Sequence, residues 1–373
     1  MLHNIFNPEN WQLVPFHFWS LCFFSLGCIV GSFLNVCIYR MPLDLSVVSP
    51  PSHCPHCKYA IPFYLNIPLL TWLALKGRCK NCGAPISPRY FIVELLTGVA
   101  FLGCWLAFGN PVHALRSMPL ALVYAVFLAG LIVATFIDFE HFIIPDEITL
   151  GGIVAGFAAS FFLPQLQDTN SIGTGMVRSV LGAAVGAGVV YAVLRLGKLM
   201  FGRQRLKLPV DTTIIFGETC VHLPDKEIPY EEIFYRKSDA IVLHARTVEL
   251  VDRGYRDVTV KLSPVTLKIG DEEINPDDVK HLEAVSSEIV LPREAMGLGD
   301  VKFMAGIGAF IGWQGVLFSL MFSSMIGAAV GIVLILLRRR EWSSRMPYGP
   351  YIALAAAAWI FCGRKIIHAI FGA

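Results

Sequence analysis

Two aspartates and four cysteines are the residues whose types and spacing could do chemistry. Asp138 lies in FIDFEHFIIPDEITL (136–150), and Asp300 lies in REAMGLGDVKFMAGIGAFIG (293–312). Each stands at one end of an apolar run, where an ionisable group is costly and usually has a use. Two carboxylates sharing one water form the aspartic-protease arrangement. Like charges at close range cannot both ionise, so the pair holds one proton. The bare acid then activates water, and the protonated acid polarises the scissile carbonyl.

Both aspartates also have plainer readings. Asp300 before VKFMAGIGAF suits a helix N-cap, as does Asp146 after Pro145. Gly297 and Gly299 shift the balance at Asp300, since glycines permit a turn that another segment docks against. Asp138 follows its apolar run at a helix C-terminus, where the macrodipole disfavours negative charge, so a structural role is a poor explanation. Lys302 reads as a counter-charge or, by preference, a snorkelling interface residue, and Glu140 and His141 as parts of an exposed link.

The cysteines form two Cys-x2-Cys pairs, Cys54/Cys57 and Cys79/Cys82, with 21 residues between the pairs. Each pair can bind one metal ion from a tight turn, and Gly83 suits the second turn. Four thiolates match tetrahedral Zn²⁺ and leave no open position, so such a metal is structural. His53 and His56 lie alongside and are expected to be solvated. The remaining six cysteines mostly sit in apolar runs, where they act as small hydrophobes.

The elements that must position these groups are membrane helices. The 373 residues are 55% hydrophobic and only 16% charged, against about 25% charged in a soluble domain. Mean hydropathy is +0.60. Net charge near zero gives a nucleic-acid partner no support. Residues 1–18 carry no Lys or Arg, which argues for a permanent first helix and against a cleaved signal.

About eight spans are expected, near 19–39, 91–108, 119–137, 147–163, 176–197, 301–312, 314–337 and 348–370. Basic residues concentrate in 40–90 and in 338–347, so alternation puts 40–90, 138–146, 198–300 and 338–347 on the cytoplasmic side. Both aspartates then fall at the same membrane edge.

The chain divides into residues 1–40 (tail and first helix), 41–90 (zinc-binding segment), 91–202 (helices two to five), 203–292 (an inserted soluble domain) and 293–373 (the GLGD turn and last helices). Segment 41–90 has too little apolar content for a core and needs a staple. The insertion alternates β-branched stretches such as AIVLHARTVELV and VTVKL with breaks at SP, GD and NPDD, so short strands are expected, with a helix near YEEIFYR.

Taken together, the motifs resemble the type IV prepilin peptidases, the bifunctional leader peptidase/N-methyltransferases. Six stretches occur in the family's order: GSFLNVCIYRMP, the four-cysteine segment enclosing NIPLLTWLALKGRC, SPRYFIVELLTG, FIDFEHFIIPDEITL, GLGDVKFMAGIGAFIG and MPYGPYIAL. The resemblance implies a bacterial inner-membrane GxGD-type aspartic endopeptidase with Asp138 and Asp300 as the catalytic pair. Its substrates would be type IV prepilins and pseudopilins, cut after a glycine on the cytoplasmic face. It further implies methylation of the new N-terminus from S-adenosylmethionine. No nucleotide-cradling motif is visible for that second activity. Gly31, Asn35, Arg40 and Glu94 are small or polar groups near the zinc segment, with helix packing as their plainer role. The 203–292 insertion departs from the family pattern and reads as a docking or regulatory surface for pilus or secretion machinery.

Other classes fit less well. A transporter would carry its acids near the midplane, and no HExxH occurs for a zinc protease. A non-catalytic zinc scaffold would not need the aspartates. Within the enzyme reading, the alternative is a peptidase without methyltransferase activity.

Overall fold

The computed structural model describes residues 16–110, 113–224, 226–234, 239–279, 281–292, 297–337 and 346–371. Outside them fall the tail before residue 16, residues 235–236 at the end of YEEIFYR, residues 293–296 at the start of the GLGD stretch, and residues 338–345 of the basic link. Two compact units result, one made of 1–190 with 298–373, the other of 191–297.

The first unit is helical. Its main helices are α1 (Phe16–Arg40), α2 (Leu70–Ala74), α3 (Pro88–Phe108), α4 (Ala114–His141), α5 (Asp146–Phe162), α6 (Ile172–Phe201, which runs on into the second unit), α8 (Leu298–Leu336) and α9 (Gly349–Phe371). Among the described residues, five helical stretches are long and apolar enough to cross a membrane: His17–Leu43, Pro88–Phe108, Arg116–His141, Ile172–Leu199 and Leu298–Leu336. Gly349–Gly363 is a shorter apolar stretch.

Local sequence explains the ends. Ser87 accepts the N–H of Arg89, and Pro88 follows it at the first helical position of α3, where a missing N–H costs nothing. The C-terminus of α4 is closed by Phe142 in the left-handed region, its N–H donating to the carbonyl of Asp138. The cap of α5 is Pro145. Asp146 therefore sits inside the first turn and caps nothing; instead it binds Lys302 Nζ at 2.7 Å. Lys302 thus serves as a counter-charge, to Asp146, through an exposed ammonium. Glu140 and His141 belong to the last turn of α4 and not to a link, and Glu140 pairs with Arg89.

Helix α8 is broken at Gly312 (φ 70°, ψ 176°), a conformation that favours glycine. A break inside an apolar unit frees carbonyls that must find donors. Ala309 O accepts from Gln167 Nε2 and from Ser179 Oγ, both at 2.8 Å, and Phe310 O accepts from Gln167 at 3.3 Å. Small residues allow the close crossings. A Cβ on Gly182 of α6 would lie 2.1 Å from Gly308 O, and one on Gly27 of α1 would lie 2.6 Å from Thr97 O.

The second unit is an eight-stranded antiparallel sheet in the order β3-β2-β1-β8-β4-β5-β6-β7. The strands are β1 (Arg203–Phe216), β2 (Cys220–Leu223), β3 (Lys226–Pro229), β4 (Ile241–Leu250), β5 (Gly254–Leu262), β6 (Leu267–Ile269), β7 (Glu272–Ile274) and β8 (Leu282–Pro292), with a single turn of helix, α7 (Tyr230–Ile233), after β3. Alternation along β4 and β8 buries one face in a core with Ile214, Val221, Ile241, Val260 and Ile289 fully covered. Arg203 pairs with Pro292, so the sheet starts and finishes on adjacent strands.

Candidate active site

Asp138 lies in the last turn of α4 and is 6% exposed. Its Oδ2 accepts the backbone N–H of Gly349, the first residue of α9, at 2.9 Å. That N–H has no partner within its own helix. It therefore fixes one carboxylate oxygen at no cost to α9. The approach demands glycine: a Cβ on residue 349 would stand 2.8 Å from Asp138 Oδ2 and 3.2 Å from Ile144 Cδ1.

Ile144, 9% exposed, also faces the GLGD turn. A Cβ on Gly299 would lie 3.7 Å from Ile144 Cβ. The end of α4, the start of α9 and the start of α8 therefore meet around one isoleucine. Asp300 follows Gly299 directly, in the first turn of α8, and is half-buried. Gly349 lies in MPYGPYIAL, where the Pro-Tyr-Gly-Pro run is the one sequence signal for this contact.

The four cysteines converge. Cys54 Sγ and Cys82 Sγ are 3.8 Å apart, Cys57 Sγ and Cys79 Sγ are 4.0 Å apart, and all four lie within 4.8 Å of one another. Tetrahedral Zn²⁺ with bonds of about 2.3 Å sets sulfurs about 3.8 Å apart, so the donors fit that ion.

Both halves use one local design. Lys58 N donates to Cys54 O, and Gly83 N donates to Cys79 O. Lys58 and Gly83 have positive φ, and short bridges His53–Ala60 and Arg78–Pro85 close the two loops. Such loops aim N–H groups at sulfur and favour thiolate at Cys57 and Cys79, whereas Cys82, despite the Ala84 N–H, is pushed up to about 11 by desolvation and the neighbouring thiols. The Asn81 amide, 3.5 Å away, is the main reason the Cys57 thiol is brought down to about 6. Backbone N–H groups of Cys82 and Asn81 likewise lower Cys79. His53 Nδ1 is turned to Pro51 O, and His56 is exposed; neither joins the cluster.

The residues near the zinc segment each have a packing task. Gly31 lets α1 touch α3 at Glu94, and Asn35 donates to Tyr90 O. Arg40 clamps the carbonyls of Ser46 and Pro50. Glu94, buried in α3, accepts the N–H of Leu69 at 2.8 Å and so holds the segment between the two cysteine pairs. Beside Arg40 lies a recess of about 310 Å³ lined by Ser32, Val36, Ser52, Asn66 and Pro68 among others.

Five membrane-length helices, a cluster of four thiols and a carboxylate seated at a helix end define a multi-pass membrane protein with an enzyme-like site. The chain belongs to the type IV leader peptidase family: that family's profile matches residues 125–206 and 282–332, and the bacterial peptidase A24 N-terminal domain matches 25–108. It is therefore an enzyme, a protease. The unmatched interval 207–281 lies inside the stretch that forms the sheet.

Among curated relatives, a prepilin leader peptidase/N-methyltransferase of Myxococcus xanthus is 33% identical over 314 residues, covering 84% of this chain and 62% of that protein. One of Aeromonas hydrophila is 28% identical, covering 93% and 91%. One of Dichelobacter nodosus is 37% identical over 208 residues, covering 48% and 67%. No solved structure matches the chain.

Proposed function

We propose that this chain is a membrane aspartic endopeptidase that removes the leader from type IV prepilin-like precursors, prepilins and pseudopilins alike, and then N-methylates the exposed amine. Cleavage follows a glycine at the cytoplasmic face of the bacterial inner membrane. Asp138 and Asp300 are the catalytic pair. The observation that carries the reading is the seating of Asp138: buried, with one oxygen held by Gly349 N–H, against the isoleucine that also faces the GLGD turn.

The chemistry follows from that seating. One carboxylate, ionised, draws a proton from water as the water attacks the scissile carbonyl. The other, protonated, donates to the carbonyl oxygen, and the pair then returns a proton to the leaving amine. Gly349 N–H keeps Asp138 from rotating away between these steps. A bond at the head of an apolar helix in the substrate demands carboxylates at that same depth. Helix ends supply them. With α8 counted as two arms broken at Gly312, α1, α3, α4, α5, α6, α8 and α9 make up the eight spans.

Cys54, Cys57, Cys79 and Cys82 would hold Zn²⁺, which supplies a closed structural cross-link for residues 41–90. Ser32, Ser52 and Asn66, in the recess beside Arg40, offer the hydroxyl and amide groups that an S-adenosylmethionine donor needs, next to apolar Val36 and Pro68. That donor supplies the methyl group when bound. The insertion at 203–292 would serve as a docking surface for pilus or secretion machinery.

The test is processing of a pilin-like precursor by purified protein in detergent, with product N-termini read by mass spectrometry with and without S-adenosylmethionine. A cut after glycine supports the peptidase, and a further methyl mass supports the second activity. A peptidase without methyltransferase would give the cut alone. A cut elsewhere, or none, contradicts the proposal.

A further inference from the structure

The inserted sheet carries a second cluster of reactive groups. In β2, Val221 and Leu223 point into the core, so Cys220 and His222 point out together. The register pairs His222 with Glu227 on β3, which puts Glu227 on the same outer face. His222 Nδ1 lies 3.0 Å from Glu227 Oε1, and His222 Nε2 lies 3.3 Å from Cys220 Sγ. The imidazole therefore has a carboxylate at one nitrogen and a thiol at the other.

One proton assignment serves both contacts. Nδ1–H donates to the carboxylate, and Nε2 accepts from S–H. The turn entering β2 holds this arrangement close. Gly217 N donates to Cys220 O at 2.9 Å, and a Cβ on Gly217 would stand 3.0 Å from His222 Nε2. Cys220 and His222 are half-buried, and Glu227 is exposed, so small molecules can reach the sulfur.

We infer that Cys220, His222 and Glu227 form a thiol–imidazole–carboxylate relay that makes Cys220 a site of thiol–disulfide exchange with small exposed disulfides. The sulfur attacks one sulfur of the disulfide as its proton passes to Nε2. The Glu227 carboxylate stabilises the imidazolium so formed. A bond forms between Cys220 Sγ and the attacked sulfur, and the old S–S bond breaks. The departing thiolate takes the proton from Nε2. The product is a mixed disulfide on the sheet and one free small thiol, with no other redox partner. A divalent ion is the competing use of these groups, since one ligand atom from each of Cys220, His222 and Glu227 lies within 4.8 Å of the others. The separate contacts at the two ring nitrogens favour the relay.

The test uses the full chain in detergent treated with oxidised glutathione, the mixed disulfide on the peptide containing Cys220 being followed by mass spectrometry. His222→Ala should slow modification of Cys220 at least tenfold, and free imidazole should restore part of the rate. Glu227→Gln changes an exposed side chain, leaves the fold intact, and should slow it severalfold. Equal rates at Cys220 in wild type, His222→Ala and Glu227→Gln would overturn the relay. So would a Zn²⁺ ion lost in Cys220→Ser while the Cys54/Cys57/Cys79/Cys82 ion is retained.

Discussion

Gly349→Ala is the substitution that most sharply separates a seated catalytic carboxylate from a merely buried one. The added Cβ would be 2.8 Å from Asp138 Oδ2 and 3.2 Å from Ile144 Cδ1. Relaxed C···O contacts lie at about 3.3–3.6 Å, so carbon and oxygen must part by at least about half an ångström. Backbone on one side and Ile144 on the other leave the carboxylate as the group that yields. A displacement of about 1 Å costs about 10²-fold in rate, so about ten- to hundredfold is expected here. Overpacking of this kind costs about 1–3 kcal/mol of stability, which leaves a folded protein to assay.

The measurement is the single-turnover cleavage rate on a prepilin-like precursor, beside the thermal unfolding midpoint. The reasoning predicts a rate loss out of proportion to the stability loss, with substrate affinity little changed. A folded Gly349→Ala protein that cleaves at the wild-type rate would refute it.

Three further outcomes follow from the same geometry. Purified protein should contain one zinc ion per chain; Cys79→Ser or strong chelation should remove it and speed proteolytic nicking within 41–90, as read by metal analysis and limited digestion. Gly182→Ala sets a Cβ 2.1 Å from a backbone carbonyl of α8 that cannot move aside. It should lower the thermal midpoint sharply and reduce folded yield, as seen by size-exclusion chromatography. Lys302→Met breaks only a part-exposed ion pair with Asp146, worth about 0–1 kcal/mol. Its thermal midpoint and cleavage rate should stay close to wild type.

The candidate site residues were legible in the chain because the tasks proposed for them constrain residue type and spacing. Two Cys-x2-Cys pairs call for either one shared metal ion or two redox pairs, and the convergence of all four thiols favours the first; an aspartate closing an apolar run asks for an explanation. The sequence also placed a span boundary between 312 and 314, and the backbone breaks at Gly312. What could not be read depends on partners distant in sequence. Gly349 meets Asp138 across 211 positions through a backbone N–H, which no residue type announces. Asp146 looked like a cap because Pro-Asp before a helix usually is one, and only the fold sets Lys302 against it. Glu94 bonds a backbone N–H in a loop, and its burial hides that in a helical pattern. In the insertion, alternation announced strands, but the Cys220–His222–Glu227 relay exists only through the β2–β3 register.

The central claim is that Asp138 and Asp300 act as one unit, and double-mutant kinetics test it most directly. Cleavage rates would be measured for wild type, Asp138→Asn, Asp300→Asn and the double variant on one precursor, with folding verified for each. Groups that act as a unit are strongly non-additive. The account predicts that each single substitution abolishes cleavage by about 10³-fold or more, and that the double variant falls no further. Cleavage surviving either single substitution, or losses that multiply in the double variant, would contradict it.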